Sequence, residues 1–315
     1  MFDRRFIANA IGRSAESSAD RRNFLRAAGI TGLGVGGALL TTGATATAAT
    51  AAVGSTGPSD GAILNFALNL EYLEAEFYLR AVTGVGLPDS QTTGTGTRGN
   101  VTGGRQVTFQ TPSIKKYAVE IAADEKAHVA FLRSALGSTA VSRPAINLDA
   151  SFTAAARAAG LVGPNAQFDV YANEVNFLFG AFIFEDVGVT AYKGAAPLIS
   201  SATYLDAAAG LLSVEAYHAG IIRTTLYALG VATPSVYTSI QAISNARDSL
   251  DGATELDQGI GTSATANLTP TDRNGLTYSR TPGQVLNIAF LNPAPVTSGG
   301  FFPAGVNGTL NTSAG

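Results

Sequence analysis

From Ser59 onward, apolar residues recur at intervals of three and four. Ile63, Phe66, Ala67, Leu70, Leu73 and Phe77 trace one stripe to about Val82, behind Ser59-Asp60 as an N-cap and first-turn pair, and predict helix A. Thr111-Pro112 supplies the next cap and first turn, and helix B runs through Tyr117, Ile121, Glu125, His128 and Leu132 to Gly137. Helix C is expected over about Ala166–Gly194, with its densest apolar run at Phe177, Leu178, Phe179, Phe182, Ile183 and Phe184. Pro197 ends it, Ser200-Ser201 caps helix D, and Leu205, Leu211, Leu212, Glu215, His218 and Ile222 carry that helix to Gly230. Residues 84–111 are rich in Gly, Thr and Gln and read as a loop inserted between A and B, with a small hairpin expected at Val101–Val107. Residues 138–165, holding Pro144 and Pro164, read as a long B–C crossover with a short helix near Phe152–Ala159. Beyond Gly230 the composition shifts to Thr, Pro, Asn and Gly, with helices expected near Val236–Leu250 and Thr281–Phe290. The pattern is that of an all-α protein. A four-helix domain occupies 59–230, and 231–315 is an extension packed on it, since Leu286, Ile288, Phe290, Phe301 and Phe302 need cover.

The first 52 residues follow a different rule. A polar leader precedes Arg21-Arg22-Asn23-Phe24-Leu25-Arg26, and an apolar run from Ala27 to Leu40 follows, 14 residues broken by five glycines. That run is too short for a membrane span of about 20 residues. Twin arginines with an apolar pair directly behind them resemble the twin-arginine translocation signal, with Asp20 where Ser or Thr is usual. Small-residue sites at Ala44-Thr-Ala46 and Ala46-Thr-Ala48 place cleavage near residues 46–52. The expectation is an exported protein, periplasmic, cell-surface or extracellular, touching a membrane only through this segment if it stays uncleaved. No later stretch reads as a span, because carboxylates interrupt the apolar runs.

Composition narrows the chemistry. The chain has no Cys, which removes disulfides, thiolate zinc, iron–sulfur clusters and cysteine nucleophiles, so any metal is held by nitrogen and oxygen. A net charge of −3 and the lack of a basic block beyond residue 26 argue against nucleic acid. One Met and no Trp leave few easily oxidised side chains, as would suit contact with peroxide or O2.

Only two histidines occur, and each has Glu three residues before it: Glu125-Lys-Ala-His128 and Glu215-Ala-Tyr-His218. On a helix that spacing puts carboxylate and imidazole on one face, able to reach one metal centre from a rigid support. With ten Glu in the chain, a chance match at both histidines is about 0.1% on composition. Helices A and C add a second regularity. Glu71 lies seven residues before Tyr78, and Glu185 seven before Tyr192, so each Glu shares a face with a Tyr placed to hydrogen-bond near the site. Arg133 and Arg223 each follow a His by five residues. The two halves therefore look duplicated, and the inserted loop accounts for the unequal spacing between their motifs. Glu185-Asp186, inside an apolar run, requires partners. Glu74, Glu76 and Glu120 read as helix-surface charges, although Glu74 is one turn from Glu71 and could ligate instead of it or beside it.

The order Glu, Glu-x-x-His, Glu, Glu-x-x-His along four helices resembles the ferritin-like superfamily of di-iron and di-manganese carboxylate proteins. The wording Leu68-Asn-Leu-Glu-Tyr-Leu-Glu-Ala-Glu-Phe-Tyr78 and the tail Arg280-Thr-Pro-Gly-Gln-Val-Leu-Asn-Ile288 are similar to the exported ferritin-like proteins labelled desiccation-related. The resemblance implies a ferritin-like bundle holding two Fe or Mn ions per chain. Glu71 and Glu185 would be terminal on one metal each, Glu125 and Glu215 bridging, and His128 and His218 one imidazole per metal, with Glu74, Tyr78 and Tyr192 around them. It implies O2 or peroxide as the partner of a di-metal oxidoreductase of ferroxidase or peroxidase type, active in oxidative or desiccation stress. Manganese-catalase-like disproportionation and a non-catalytic structural or surface role are the alternatives. An oligomer is compatible with all three.

Overall fold

Seven α-helices shape the chain in a computed structural model that describes residues 57–314. The signal, leader and cleavage expectations fall outside those residues. Helix α1 spans Asp60–Thr83, capped by the Ser59 side chain on the Ala62 amide and closed by Gly84 in the left-handed region. Helix α2 spans Pro112–Leu136, α3 Ala150–Ala158, α4 Glu174–Ala195 and α5 Ala202–Ala232. Helix α6 spans Ser235–Asp248 and α7 Pro282–Phe290. Thr281 and Gln284 close a full capping box at the start of α7.

Two helical pairs make the bundle. Helices α1 and α2 pack against each other, α4 and α5 likewise, and α1 meets α4 across the middle. Asn65, near the start of α1, donates to the Thr139 carbonyl just past α2, while Gln106, just before α2, donates to Val82 near the end of α1. The pair is therefore antiparallel. Asp60 at the start of α1 binds the Ser200 and Ser201 amides, 2.8 and 2.9 Å away, beyond the end of α4, so α1 and α4 are antiparallel as well. The long crossover from α2 to α4 carries α3.

Two expectations change. Helix α4 begins at Glu174 and not near residue 166, because Asn173 caps the amides of Val175 and Asn176 and Asp169 holds the preceding residues in a turn. No hairpin forms at 101–107. Instead Val101–Thr102 (β1) pairs in parallel with Ile146–Asn147 (β2), so the inserted loop is tied to the distant crossover. That contact is non-local, and no turn signal in the local sequence announces it. Helix α4 with the turn after it is also long and apolar enough to cross a membrane by length and composition, but 83% of the relevant window is buried within the protein. Its apolar surface is spent on the core.

The extension lies against the bundle through its aromatic and charged residues. Phe301 packs edge-on against Phe152 and Phe184, with centroids 4.9 and 5.0 Å away. Gly194 on α4 lets the extension approach, since a Cβ there would stand 1.9 Å from the Arg280 carbonyl oxygen. Asp186, the costly carboxylate of the sequence, accepts from Arg223 at 2.7 Å and Arg247 at 3.0 Å. Arg247 pairs with Asp257, and Arg280 with Asp257 and Asp251, giving one buried network of three arginines and three aspartates. The apparent duplication extends to this layer. Arg133 donates to the Tyr72 hydroxyl and to the Thr93 carbonyl of the inserted loop, while Arg223 donates to Asp186 and to the Gln258, Gly259 and Asn267 carbonyls of the extension. Tyr72 and Asp186 each follow a site Glu by one residue, so equivalent arginines pin the cover of each half.

Candidate metal centre

Each of the four bundle helices delivers carboxylates to one buried point. Glu71 comes from α1, Glu125 and His128 from α2, Glu185 from α4, and Glu215 and His218 from α5; the four carboxylates are all 0% exposed. His128 Nδ1 lies 3.2 Å from Glu71, 3.4 Å from Glu125 and 3.8 Å from Glu215. His218 Nδ1 lies 3.0 Å from Glu125 and 3.4 Å from Glu185. Two donor groups result, Glu71, Glu125, His128, Glu215 and Glu125, Glu185, His218, each with its ligand atoms within 4.8 Å of one another. Glu125 belongs to both. Glu215 belongs to the first.

His128 Nδ1 pairs with Glu71, but most of the other donor atoms are left unsatisfied. Both oxygens of Glu125 and of Glu215, Oε2 of Glu185 and Nδ1 of His218 are buried without a hydrogen-bond partner. His218 Nδ1 and Glu125 Oε1 are close, yet not aligned for a bond. Buried polar groups are ordinarily paired, so such a concentration requires a partner of another kind. Among the described residues no Lys or Arg forms an ion pair with Glu71, Glu125, Glu185 or Glu215. Divalent cations fit the cluster, and a set of oxygens with two imidazoles suits Fe or Mn.

The tyrosines act across the bundle. Tyr78 on α1 donates to Glu185 on α4, and Tyr192 on α4 donates to Glu71 on α1. Sequence spacing puts each Tyr on the face of its own Glu; antiparallel packing then sets each beside the other helix's Glu. Burial and the neighbouring carboxylates push both phenols well above their ordinary range, so they stay protonated donors. A further residue that spacing does not mark is Gly188, where a Cβ would stand 2.3 Å from Glu215 Oε2.

Charge and burial oppose each other throughout. Burial, then the charge of Glu71, lifts Glu125 to about 7. Burial and then Glu74 and Glu125 push Glu215 well above the carboxylate range. Burial also raises Glu71, but His128 beside it outweighs this and leaves the group below its usual value. Burial works against charge on the imidazoles, yet Glu71 and Glu125 hold His128 at about 10, and Glu125 and Glu185 hold His218 at about 11. Without metal, the folded chain thus keeps protons that the unfolded chain releases, on Glu125 between about 4.5 and 7 and on the histidines from about 6.5 upward. Stability falls with pH wherever the native state binds more protons. The melting temperature of metal-free protein is expected to fall from about pH 6 to about pH 9, and Mn(II) to flatten that slope by taking the place of the protons. Calorimetric scans across that range check it; a slope unchanged by Mn(II) would contradict it.

Glu74 is buried, its carboxyl pushed well above the usual range by burial and then by the charges of Glu125 and Glu71, and it lies outside both donor groups. Glu76 is not a surface charge. It is fully buried and paired with Arg80 at 2.9 Å and with Arg143 of the crossover. Glu120 is exposed, as expected. No spacing or motif singles out Asp124, whose Oδ2 lies 3.2 Å from His218 Nε2.

Two antiparallel helix pairs carrying this donor set define the ferritin-like class. Residues 59–228 match the family model of the ferritin-like domain, and the chain belongs to that family. It is similar to the desiccation-related protein PCC13-62 of Craterostigma plantagineum, 32% identical over 75% of this chain and 80% of that protein. It is also similar to the ferritin-like catalase Nec2 of Nesocodon mauritianus, 28% identical over 79% of this chain and 83% of the relative. No solved structure matches it significantly.

Proposed function

We propose that the bundle holds two Fe or Mn ions in the six-residue cluster and that the protein consumes peroxide. The observation that carries this reading is the convergence of buried donor atoms that have no other partner. Similarity to a protein named a catalase supports peroxide over O2 as the substrate. Disproportionation, in which two peroxides become two waters and one O2, requires no external electron donor. Ferroxidase activity is the other reading of the same site. Two such ions, when bound, supply a redox pair that can exchange two electrons with an O–O bond. The chain's own residues do the rest. Glu125 belongs to both donor groups, and Tyr192 and Tyr78 fix Glu71 and Glu185 by hydrogen bonds. Peroxide loss by Mn- or Fe-loaded protein, compared with a Glu125→Ala/Glu215→Ala variant, tests the proposal; equal rates would refute it.

We further propose export by the twin-arginine route, supported by the ordered leader, arginine pair and apolar run. That route carries folded proteins, and metal loaded inside the cell would accompany the chain. Changing Arg21 and Arg22 to Lys is expected to strand the precursor in the cytoplasm. Unimpaired export, followed by immunoblot of cell fractions, would refute the route.

A further inference from the structure

The two imidazoles of the cluster are held differently. His218 turns Nδ1 toward Glu125 and Glu185 and presents Nε2 to Asp124 Oδ2 at 3.2 Å. Asp124 sits on α2 directly before Glu125, and its side chain is 43% exposed, so it joins the buried cluster to the surface. His128 has no such support. Its ion-pair contacts, to Glu71, Glu125 and Glu215, all run through Nδ1, and among the described residues no carboxylate pairs with its other nitrogen. The repeat explains the difference. Helices α2 and α5 present their motifs to each other, and the residue before Glu215 is Val214, where the residue before Glu125 is Asp124.

We propose that Asp124 is a positioning residue that makes the two metal positions inequivalent, bracing His218 as a ligand while His128 is unbraced. The proposal rests on the di-metal reading of the cluster. An imidazole can offer Nδ1 to a metal only when its remaining proton sits on Nε2. A carboxylate accepting that proton fixes the tautomer and the ring orientation and makes the ligand nitrogen more basic.

The test is Mn(II) binding to metal-free protein, with site occupancies read from anomalous diffraction and affinities from equilibrium dialysis. Wild type is expected to fill both positions. Asp124→Ala is expected to keep the ion near Glu71, Glu125, His128 and Glu215 and to lose about 10- to 100-fold in affinity at the His218 position. Asp124→Asn, isosteric and still able to accept from Nε2–H, is expected to fall between the two, and it decides the matter alone if the alanine variant folds poorly. Equal weakening at both positions, or no weakening at the His218 position, would overturn the proposal. A wild-type protein that takes neither Mn(II) nor Fe(II) would instead overturn the di-metal reading itself, and the inference with it.

Discussion

Arg280→Ala is expected to destabilise the protein by about 3–5 kcal/mol, the cost of removing one partner from a buried ion pair. Arg280 is 1% exposed and bonds Asp251 at 2.6 Å, the Thr190 hydroxyl at 2.9 Å and Asp257. Its loss leaves two buried aspartates short of a countercharge, both already pushed up by burial despite the arginine. Asp257 also meets Arg247, and Arg247 shares Asp186 with Arg223, so the damage reaches α4 and α5. For a domain of this size the melting temperature is expected to drop by roughly 6–20 °C. Arg105→Ala, which breaks an exposed pair with Asp169, serves as the control and should cost less than about 1 kcal/mol. Thermal unfolding of the two variants checks this; equal, small shifts would mean that the buried network does not hold the extension in place.

The largest functional effect is expected from Glu125→Ala/Glu215→Ala. Glu125 is the one residue common to both donor groups, and Glu215 completes the first. Removing them takes away four of the buried, unpartnered oxygens. Loss of an outer partner of a metal ligand typically costs 10–100-fold, so loss of two ligands is expected to lower peroxide consumption by at least about 100-fold. The two effects should separate: metal and peroxide consumption fall together, while the metal-free variant gains stability at high pH, because crowded carboxylates have been removed. Peroxide consumption that survives the loss of metal would place the chemistry elsewhere in the molecule.

Much of the site was legible because helices enforce it. Glu-x-x-His needs only the i, i+3 geometry of one helix, and Glu71 and Glu185 followed from the repeat. Features that depend on how helices face each other were not readable. The seven-residue spacing put Tyr78 and Tyr192 near the cluster, but which Glu each would serve depends on the antiparallel pairing of α1 with α4. Glu76 looked like one more surface charge on a Glu-rich helix; its partner Arg143 lies 67 residues away in the crossover. Asp124 is hidden for the same reason, since its partner lies on α5. The expected hairpin failed because β1 finds its partner beyond α2, and glycine-rich sequence indicates a turn without indicating what the turn meets. Helix α4 starts eight residues after the expected Ala166, at Glu174, because Asn173, a strong cap, follows residues that also tolerate a helix.

Elemental analysis is the most direct check on the central claim. Wild-type protein, stripped and reloaded with Fe(II) or Mn(II), is expected to hold two ions per chain and to melt at a higher temperature than the stripped form. The Glu125→Ala/Glu215→Ala variant, treated identically, is expected to hold almost none and to show no such rise. Wild-type protein that remains metal-free, with a melting temperature indifferent to either ion, would contradict the account and leave the ferritin-like bundle as a scaffold.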